Sequence, residues 1–150
     1  MIHGVDTSFL VAVEVEEHPE HASTRGRLRR LVASGDRMSI APQVLAEFIH
    51  VVTDPRRFAK PLTVAMATEL AEQWWTAREV DQVFPDADAM ALFLAWFKSH
   101  DLGRMRLLDT LLAATYRAAG ANSILKLNPS DFEIFGDFAF NSFAEIVPNP

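Results

Sequence analysis

Four acidic residues occupy positions from which a carboxylate can take part in chemistry: Asp6, Glu47, Asp109 and Asp131. Asp6 directly follows a short apolar run that ends at Val5 and is predicted to be a buried strand. Asp131 comes shortly after another predicted strand, residues 123–127. Ligands of open α/β sheets lie outside the carboxyl ends of the strands, so both carboxylates are expected at that rim. Capping of the following helix by Asp6 or Ser8 is the simpler alternative, and this stretch alone does not separate the two.

The other two acids lie on predicted helices. Glu47 lies off the main apolar stripe of its helix, but its neighbours on the helix surface are Val44 and Val51. A carboxylate in solvent more usually has polar neighbours, although a salt bridge or a loop contact explains this position equally well. Asp109 stands in the first turn of its helix, where the helix dipole favours a negative charge. The small apolar residues after it indicate close packing on a sheet, which fixes the direction of Asp109.

Convergence of these four carboxylates at one rim is geometrically reasonable, because two follow strands and two lie on helices that can pack beside them. Clustered carboxylates repel one another, and a divalent cation offsets that repulsion. The chain has no cysteine, so any metal is held by oxygen or imidazole. Oxygen ligands favour Mg²⁺ or Mn²⁺. His18 and His21 are a weak metal signal, and are expected in a turn and in the first turn of a helix.

The elements that position these acids alternate between strand and helix. Apolar runs predict strands at residues 2–5, 38–41, 80–84 and 123–127, and a last edge strand at 143–147. Helices are predicted at residues 9–13, 42–53, 63–77, 87–99 and 108–119, and another follows residues 18–21 and ends at about residue 34. Thr7 and Ser8 are expected to cap the first of them. The alternation implies an α/β fold with a central, mainly parallel sheet flanked by helices.

Helical spacing also predicts which side chains are buried. Leu28, Leu31 and Val32 are expected in the core. The same holds for a stripe at four-residue spacing: Met66, Leu70 and Trp74. The helix at 87–99 is apolar on most of its circumference, which predicts that it is buried, with a second subunit as one way to cover it. A solvated helix face is expected for four arginines: Arg25, Arg27, Arg29 and Arg30.

Length and composition limit the class of protein. The chain has 150 residues, 49% of them hydrophobic and 23% charged, which predicts one globular domain over residues 1–150. No apolar run is long enough for a membrane span and no secretory signal pattern opens the chain, so a cytoplasmic protein is expected. The net charge of −6 is not that of a protein that binds nucleic acid by bulk electrostatics. A nucleic-acid substrate stays possible, because a bound divalent ion reverses the local sign that a phosphate meets.

The segments around the four acids resemble those of the PIN-domain ribonucleases of the VapC toxin type. The resemblance covers nearly the whole chain, in order: residues 5–10 (VDTSFL), 44–48 (VLAEF) with 52–56 (VTDPR), 109–114 (DTLLAA) and 127–132 (LNPSDF). It implies a compact α/β fold of three layers and an acidic pocket that binds one or two Mg²⁺ or Mn²⁺ ions. It also implies an RNA-cleaving toxin, a small inhibitory antitoxin protein of the VapB kind, and a homodimer.

In that family the core acids correspond here to Asp6, Glu47 and Asp109, and a less constant fourth acid falls near Asn128 and Asp131, of which Asp131 is favoured. Metal ions supply what phosphodiester hydrolysis needs: a deprotonated water, stabilisation of phosphoryl charge and help for the leaving alkoxide. Asp6 and Asp109 are expected to bind the principal ion, with Glu47 binding it or orienting the attacking water. Asp131 would complete a second site.

Substrate contacts are expected from residues beside these acids. Thr7 or Ser8 can bond a carboxylate or a phosphate, and Asn128 is a weaker candidate. Arg104 and Arg106, just upstream of Asp109, can hold a substrate phosphate.

The chain departs from the family pattern at two positions. Lys126 stands where a threonine is common, and Asn128 where an aspartate can occur; both leave the second metal open. A PIN-like protein with a degenerate site, acting as a binding or regulatory module, is therefore the alternative. A third interpretation keeps the pocket but changes the substrate to structured RNA or DNA flaps, and nothing in the sequence discriminates against it.

Overall fold

The structure is a computed structural model that describes residues 1–127 and a strand at 139–141. Its strands are β1 (Ile2–Val5), β2 (Arg37–Ile40), β3 (Val80–Gln82), β4 (Ser123–Leu125) and β5 (Ala139–Asn141). Its helices are α1 (Thr7–Glu14), α2 (His21–Ala33), α3 (Pro42–Val52), α4 (Val64–Thr76), α5 (Ala87–Ser99) and α6 (Leu107–Ala118). A 3-10 helix, Arg104–Arg106, leads into α6. The predicted strand at 143–147, Asn128 and Asp131 lie outside the described residues.

The sheet is parallel throughout the part of the chain that the structure describes, with strand order β3-β2-β1-β4-β5. This confirms the predicted α/β fold. β1 lies at the centre, where it pairs with β2 and β4. Its buried run ends at Val5, so the chain delivers Asp6 to the carboxyl edge in the middle of the sheet. β5 was not predicted, because its three residues include polar Asn141 and carry little strand signal.

Tyr116 on α6 fixes the elements next to this edge. Its buried hydroxyl donates to Val5 O at 2.5 Å and accepts from Ala41 N at 3.4 Å. It therefore connects the end of β1 with the start of α3 across the core. Burial raises the pKa of the Tyr116 hydroxyl above its ordinary value, so the phenol keeps its proton at neutral pH.

Helix packing departs from the predicted pattern on α4. The residues that face the core are Ala67, Ala71 and Trp74, while Met66 is 51% exposed. Ala67 and Ala71 thus take the buried positions predicted for Met66 and Leu70, since alanines let α4 approach its neighbours closely. Leu70 is half-buried at the margin of the core, and Trp74 is buried as predicted.

Burial on α2 also differs from the expectation. Arg27 is buried, and only the other three arginines of this helix are exposed as predicted. Arg27 lies one turn from Thr24 and Leu31, on the face that meets the core, where the aliphatic stem of an arginine can pack. Val32, by contrast, is exposed. The prediction for Arg27 was wrong because it considered only the charge of the residue. Whether a helix position is buried depends first on which face of the helix meets the core, and only then on the residue type.

The apolar helix α5 is less buried within this chain than predicted. Ala89 and Trp96 are its buried residues, whereas Met90 and Leu94 are 41% and 49% exposed. Leu107 and Leu108, at the start of the adjacent α6, are exposed as well. We call these four exposed residues the α5/α6 apolar patch. Among the described residues, none of the helices has the length and apolar character that crossing a membrane requires.

A Ser, His and Asp network lies at the opposite, amino edge of the sheet. His3 Nδ1 is 2.5 Å from Ser123 Oγ, and His3 Nε2 is 3.1 Å from Asp36 Oδ2. The N-terminal ammonium donates to Asp36 Oδ1 at 2.7 Å. His3 and Ser123 are 1% and 0% exposed, so no substrate reaches them. The network therefore stabilises the sheet edge and is not a hydrolytic triad.

Asp36→Asn is expected to lower the free energy of unfolding by about 1 kcal/mol at pH 6, because two charge-assisted hydrogen bonds are weakened. The hydrogen bonds from the N-terminal ammonium and His3 lower the pKa of Asp36 below its ordinary value. A lowered folded-state pKa stabilises the fold above the unfolded value and is lost as the pH falls through the folded value. Urea unfolding should therefore show the difference between wild type and variant at pH 6 and a smaller difference near pH 3. An equal difference at both pH values would contradict this assignment.

Candidate active site

Asp6 is placed by the join between β1 and α1. Its backbone N–H donates to Leu125 O at 3.0 Å, which continues the pairing of β1 with β4. Its side chain is the N-cap of α1: Oδ2 accepts from Ser8 N at 3.1 Å and from Ser8 Oγ at 2.7 Å. Thr7 is the first helical residue, so the expectation that Thr7 and Ser8 cap this helix was wrong, and the alternative that Asp6 caps it is confirmed. Asp6 caps because its extended backbone lets the carboxylate reach the first free N–H groups.

Ser8 also connects Asp6 with the segment after β4. Its hydroxyl donates to Asp6 Oδ2 and accepts from Leu127 N at 3.2 Å. The carboxylate that the sequence allowed as a partner of Ser8 is therefore Asp6, and the contact of Ser8 with a phosphate stays a prediction. Ser8 thus holds the side chain of Asp6 in one orientation at the carboxyl edge of the sheet.

Glu47 is brought to the same edge by α3. Pro42 begins α3 shortly after β2. Of the apolar stripe predicted for this helix, Leu45, Phe48 and Val52 are buried and Ile49 is half-buried. Glu47 itself is exposed, and its Oε2 accepts from Thr7 Oγ1 at 3.0 Å. Val44 O lies 3.4 Å from the same hydroxyl. Thr7 has one hydroxyl proton, and the shorter distance indicates that it goes to Glu47.

Asp109 reaches the site from the first turn of α6. It is half-buried, and the small residues after it, Ala113 and Ala114, are fully buried. Thr110 is buried too, and its hydroxyl donates to Arg106 O at 2.6 Å. This packing fixes the helix and with it the side from which the carboxylate of Asp109 faces the site.

One pocket of about 610 Å³ brings together three of the four predicted acids, Asp6, Glu47 and Asp109. The fourth, Asp131, lies outside the described residues. Thr7, Ser8 and Lys126 line the same pocket. The convergence that sequence order suggested is therefore present at the carboxyl edge of β1, with two hydroxyls each holding one carboxylate.

The chemistry of this donor set suits a hard divalent cation, because every acid on the pocket offers carboxylate oxygen. The distances between these side chains fit a bound metal less well. Among the described residues, no three acidic or histidine side chains are gathered closely enough to share one ion. The ligand types fit a metal, but in this conformation the side chains are not drawn together.

Lys126 provides a positive charge inside the pocket. It follows β4 directly, is 8% exposed, and its Nζ lies 4.0 Å from Asp6 Oδ1. Both oxygens of Asp6 therefore have a partner: Ser8 bonds Oδ2 and Lys126 faces Oδ1.

Arg57 and Phe58 also line the pocket and were not singled out by the sequence analysis, and His18, another lining residue, was named there only as a weak metal signal. Arg57 is exposed and forms an ion pair of 3.7 Å with Asp54. The motif at 52–56 ends one residue before it, which is the signal that pointed nearest to this side chain. Arg104 and Arg106, in the 3-10 helix before α6, are not among the described residues that line the pocket.

The fold and the site together define the class of protein: an α/β protein with a parallel sheet and a carboxylate pocket at the carboxyl end of the central strand. The family model of the PIN domain matches residues 5–133. The chain belongs to the PIN domain family. All three acids on the pocket fall inside the matched residues, which ties the family assignment to the site.

The chain is also similar to several named proteins. The chain is 40% identical over 57 residues to ribonuclease VapC43 of Mycobacterium tuberculosis, a stretch that spans 38% of this chain and 39% of that relative. Its fold is similar to that of VapC20 from Mycobacterium tuberculosis, described as a sarcin-ricin loop cleaving toxin (TM-score 0.66, 21% identity, 93% of this chain and 97% of that chain). It is also similar to VapBC2 from Rickettsia felis, solved with a DNA fragment from its promoter (TM-score 0.67, 18% identity, 95% and 99%).

Proposed function

We propose that this protein is a divalent-metal-dependent endoribonuclease of the VapC type, and the toxin half of a toxin-antitoxin module. The observation that carries the proposal is the meeting of Asp6, Glu47 and Asp109 on one pocket at the carboxyl edge of the central strand. The relative named as ribonuclease VapC43 supports the choice of RNA, and the structure of similar fold described as a sarcin-ricin loop cleaving toxin supports the role of a toxin.

In this proposal Asp6 and Asp109 hold the principal ion, and Glu47 holds it or orients the attacking water. Asp131 is proposed to complete the set. Mg²⁺ or Mn²⁺ suits these ligands, and when bound it lowers the pKa of a water and stabilises charge on the phosphoryl oxygens. Ser8 keeps Asp6 in orientation, and Thr7 does the same for Glu47, so the protein's own hydroxyls prepare the carboxylates.

Phosphate recognition is proposed for the cations on the pocket wall. Arg57 is exposed beside the carboxylates and can donate two parallel hydrogen bonds to a phosphate. His18 lines the same wall. Arg104 and Arg106 remain proposed contacts for the part of an RNA that extends beyond the pocket. Asn128, Thr7 and Ser8 are proposed contacts for the part within reach of the acids.

Partners and location are proposed on the same basis. A small VapB-like antitoxin is proposed because the solved relatives include VapBC complexes. A homodimer is proposed because the α5/α6 apolar patch is exposed in the part of the chain that the structure describes. We also propose that residues 1–150 form a single PIN domain and that the protein is cytoplasmic.

A degenerate site that serves only for binding is the second candidate function. The ion pair of Lys126 with Asp6 favours it, because a fixed cation already offsets the charge of one acid.

Incubation of purified protein with total cellular RNA tests both candidates. A ribonuclease of this kind is expected to cleave RNA with Mg²⁺ or Mn²⁺ and to stop when EDTA removes the metal. Intact RNA after incubation with Mn²⁺, from protein that carries no copurified partner, would contradict the enzymatic proposal and leave the binding module.

A further inference from the structure

Lys126 is positioned as a resident cation of the pocket. It is the first residue after β4, which pairs with β1, so its backbone is fixed beside Asp6. The side chains of Lys126 and Asp6 are only 10% and 11% exposed, and their charged atoms are 4.0 Å apart. An ion pair that is shielded from water is screened much less than one at the surface.

We propose that Lys126 is a built-in counter-cation of Asp6 with which a divalent ion must compete, and that it thereby lowers the affinity of the pocket for metal. The inference rests on the proposed function, because it takes Asp6 as a metal ligand. It concerns regulation of that site by a residue of this chain.

The physical argument has two parts. Metal bound to Asp6 must replace or share the oxygen that faces Lys126, since Ser8 already bonds the other oxygen. A divalent ion on Asp6 also lies close to the ammonium group, and like charges a few ångströms apart repel strongly where water is scarce. Both effects weaken the binding of the metal ion, and neither lowers the stability of the fold.

A purely structural role for Lys126 gives a different expectation. If the lysine only stabilised the end of β4, its removal would lower the melting temperature and leave metal affinity unchanged or weaker. The counter-cation role instead predicts tighter metal binding when the charge is removed.

The test compares the affinity for Mn²⁺ of wild type, Lys126→Met and Lys126→Arg. Methionine keeps most of the apolar stem without the charge, whereas arginine keeps the charge. Lys98→Met is the matched control, because Lys98 is an exposed residue of α5 that does not line the described pocket. Free Mn²⁺ is measured by its electron paramagnetic resonance signal at constant ionic strength, and folding by circular dichroism.

Lys126→Met is expected to bind Mn²⁺ about tenfold more tightly than wild type, as removal of a nearby like charge requires. Lys126→Arg and Lys98→Met are expected to stay close to wild type. If Lys126→Met does not fold, Lys126→Gln, which keeps a polar tip, gives the same comparison. Equal or weaker binding by the folded, uncharged variant overturns the inference.

The outcomes separate the two proposals. Wild type that cleaves RNA with Mn²⁺, together with unchanged metal affinity in Lys126→Met, refutes the counter-cation role and leaves the ribonuclease. No Mn²⁺ binding by any of the variants refutes the metal site, and the counter-cation role with it.

Discussion

Asp109→Asn is expected to reduce the rate of RNA cleavage by about 100-fold or more, in line with the loss of one group that stabilises developing charge. Asparagine has nearly the same shape, so the close packing of α6 on the sheet is kept. What is lost is a negative charge on the pocket that Asp6 and Glu47 also line. The measurement is the initial rate of cleavage of a labelled RNA with saturating Mn²⁺.

The control for this variant is Asp101→Asn. Asp101 is an exposed residue of the loop before α6 with φ 48°, a left-handed conformation that asparagine tolerates well. It removes the same charge away from the pocket and is expected to keep wild-type activity. Stability should change by less than about 1 kcal/mol in Asp109→Asn, the usual range for a charge at a helix N-terminus. Activity that survives Asp109→Asn would mean that the cleavage comes from another site or from another protein.

Gly4→Ala is expected to lower the free energy of unfolding by about 3 kcal/mol or more, which is the upper range for overpacking a core. A Cβ at Gly4 would lie 2.6 Å from Tyr116 Cγ and 2.9 Å from Cε2, far inside van der Waals contact. The ring cannot move aside easily, because its hydroxyl bonds Val5 O and Ala41 N. Urea unfolding followed by tryptophan fluorescence measures the loss.

Gly103→Ala provides the comparison. A Cβ at Gly103 meets nothing within 4 Å and its φ is −76°, an ordinary value for alanine. Its free energy of unfolding is expected to stay within about 0.5 kcal/mol of wild type, as for most surface substitutions. Similar stability of the two alanine variants would show that Tyr116 does not pack against β1 in this way.

The spacing of apolar residues and the residues typical of helix ends made most of the fold predictable from the sequence. Pro42 and Gly35 each mark one end of a helix by a backbone requirement of their own: proline fits the first turn, and Gly35 has φ +79° after α2. The helix α5 was predicted with its observed bounds. Burial was harder, because Arg27 and Met66 depend on which face of a helix meets its neighbour, and tertiary packing decides that.

The site was predictable to the level of residue type and sheet edge. Asp6, Glu47 and Asp109 were singled out from their positions after a strand, between apolar residues and at a helix start. Thr7 and Ser8 were also named as side chains that can bond a carboxylate, but the pairing of Thr7 with Glu47 was not predicted, since the two are 40 residues apart in the chain. Lys126 was noted as a departure, but its distance from Asp6 depends on the pairing of β1 with β4. The roles proposed for the four acids stay predictions.

The hydroxyl of Thr7 has a consequence for how Glu47 can respond to a ligand. Its proton goes to Glu47 at 3.0 Å, and Val44 O stands 3.4 Å away as a second acceptor. When the carboxylate swings toward an ion or a water, the proton can turn to the backbone carbonyl, so no buried donor is stranded. The hydrogen bond from Thr7 therefore holds Glu47 reversibly. When Glu47 moves away, Thr7 exchanges this hydrogen bond for one to Val44 O.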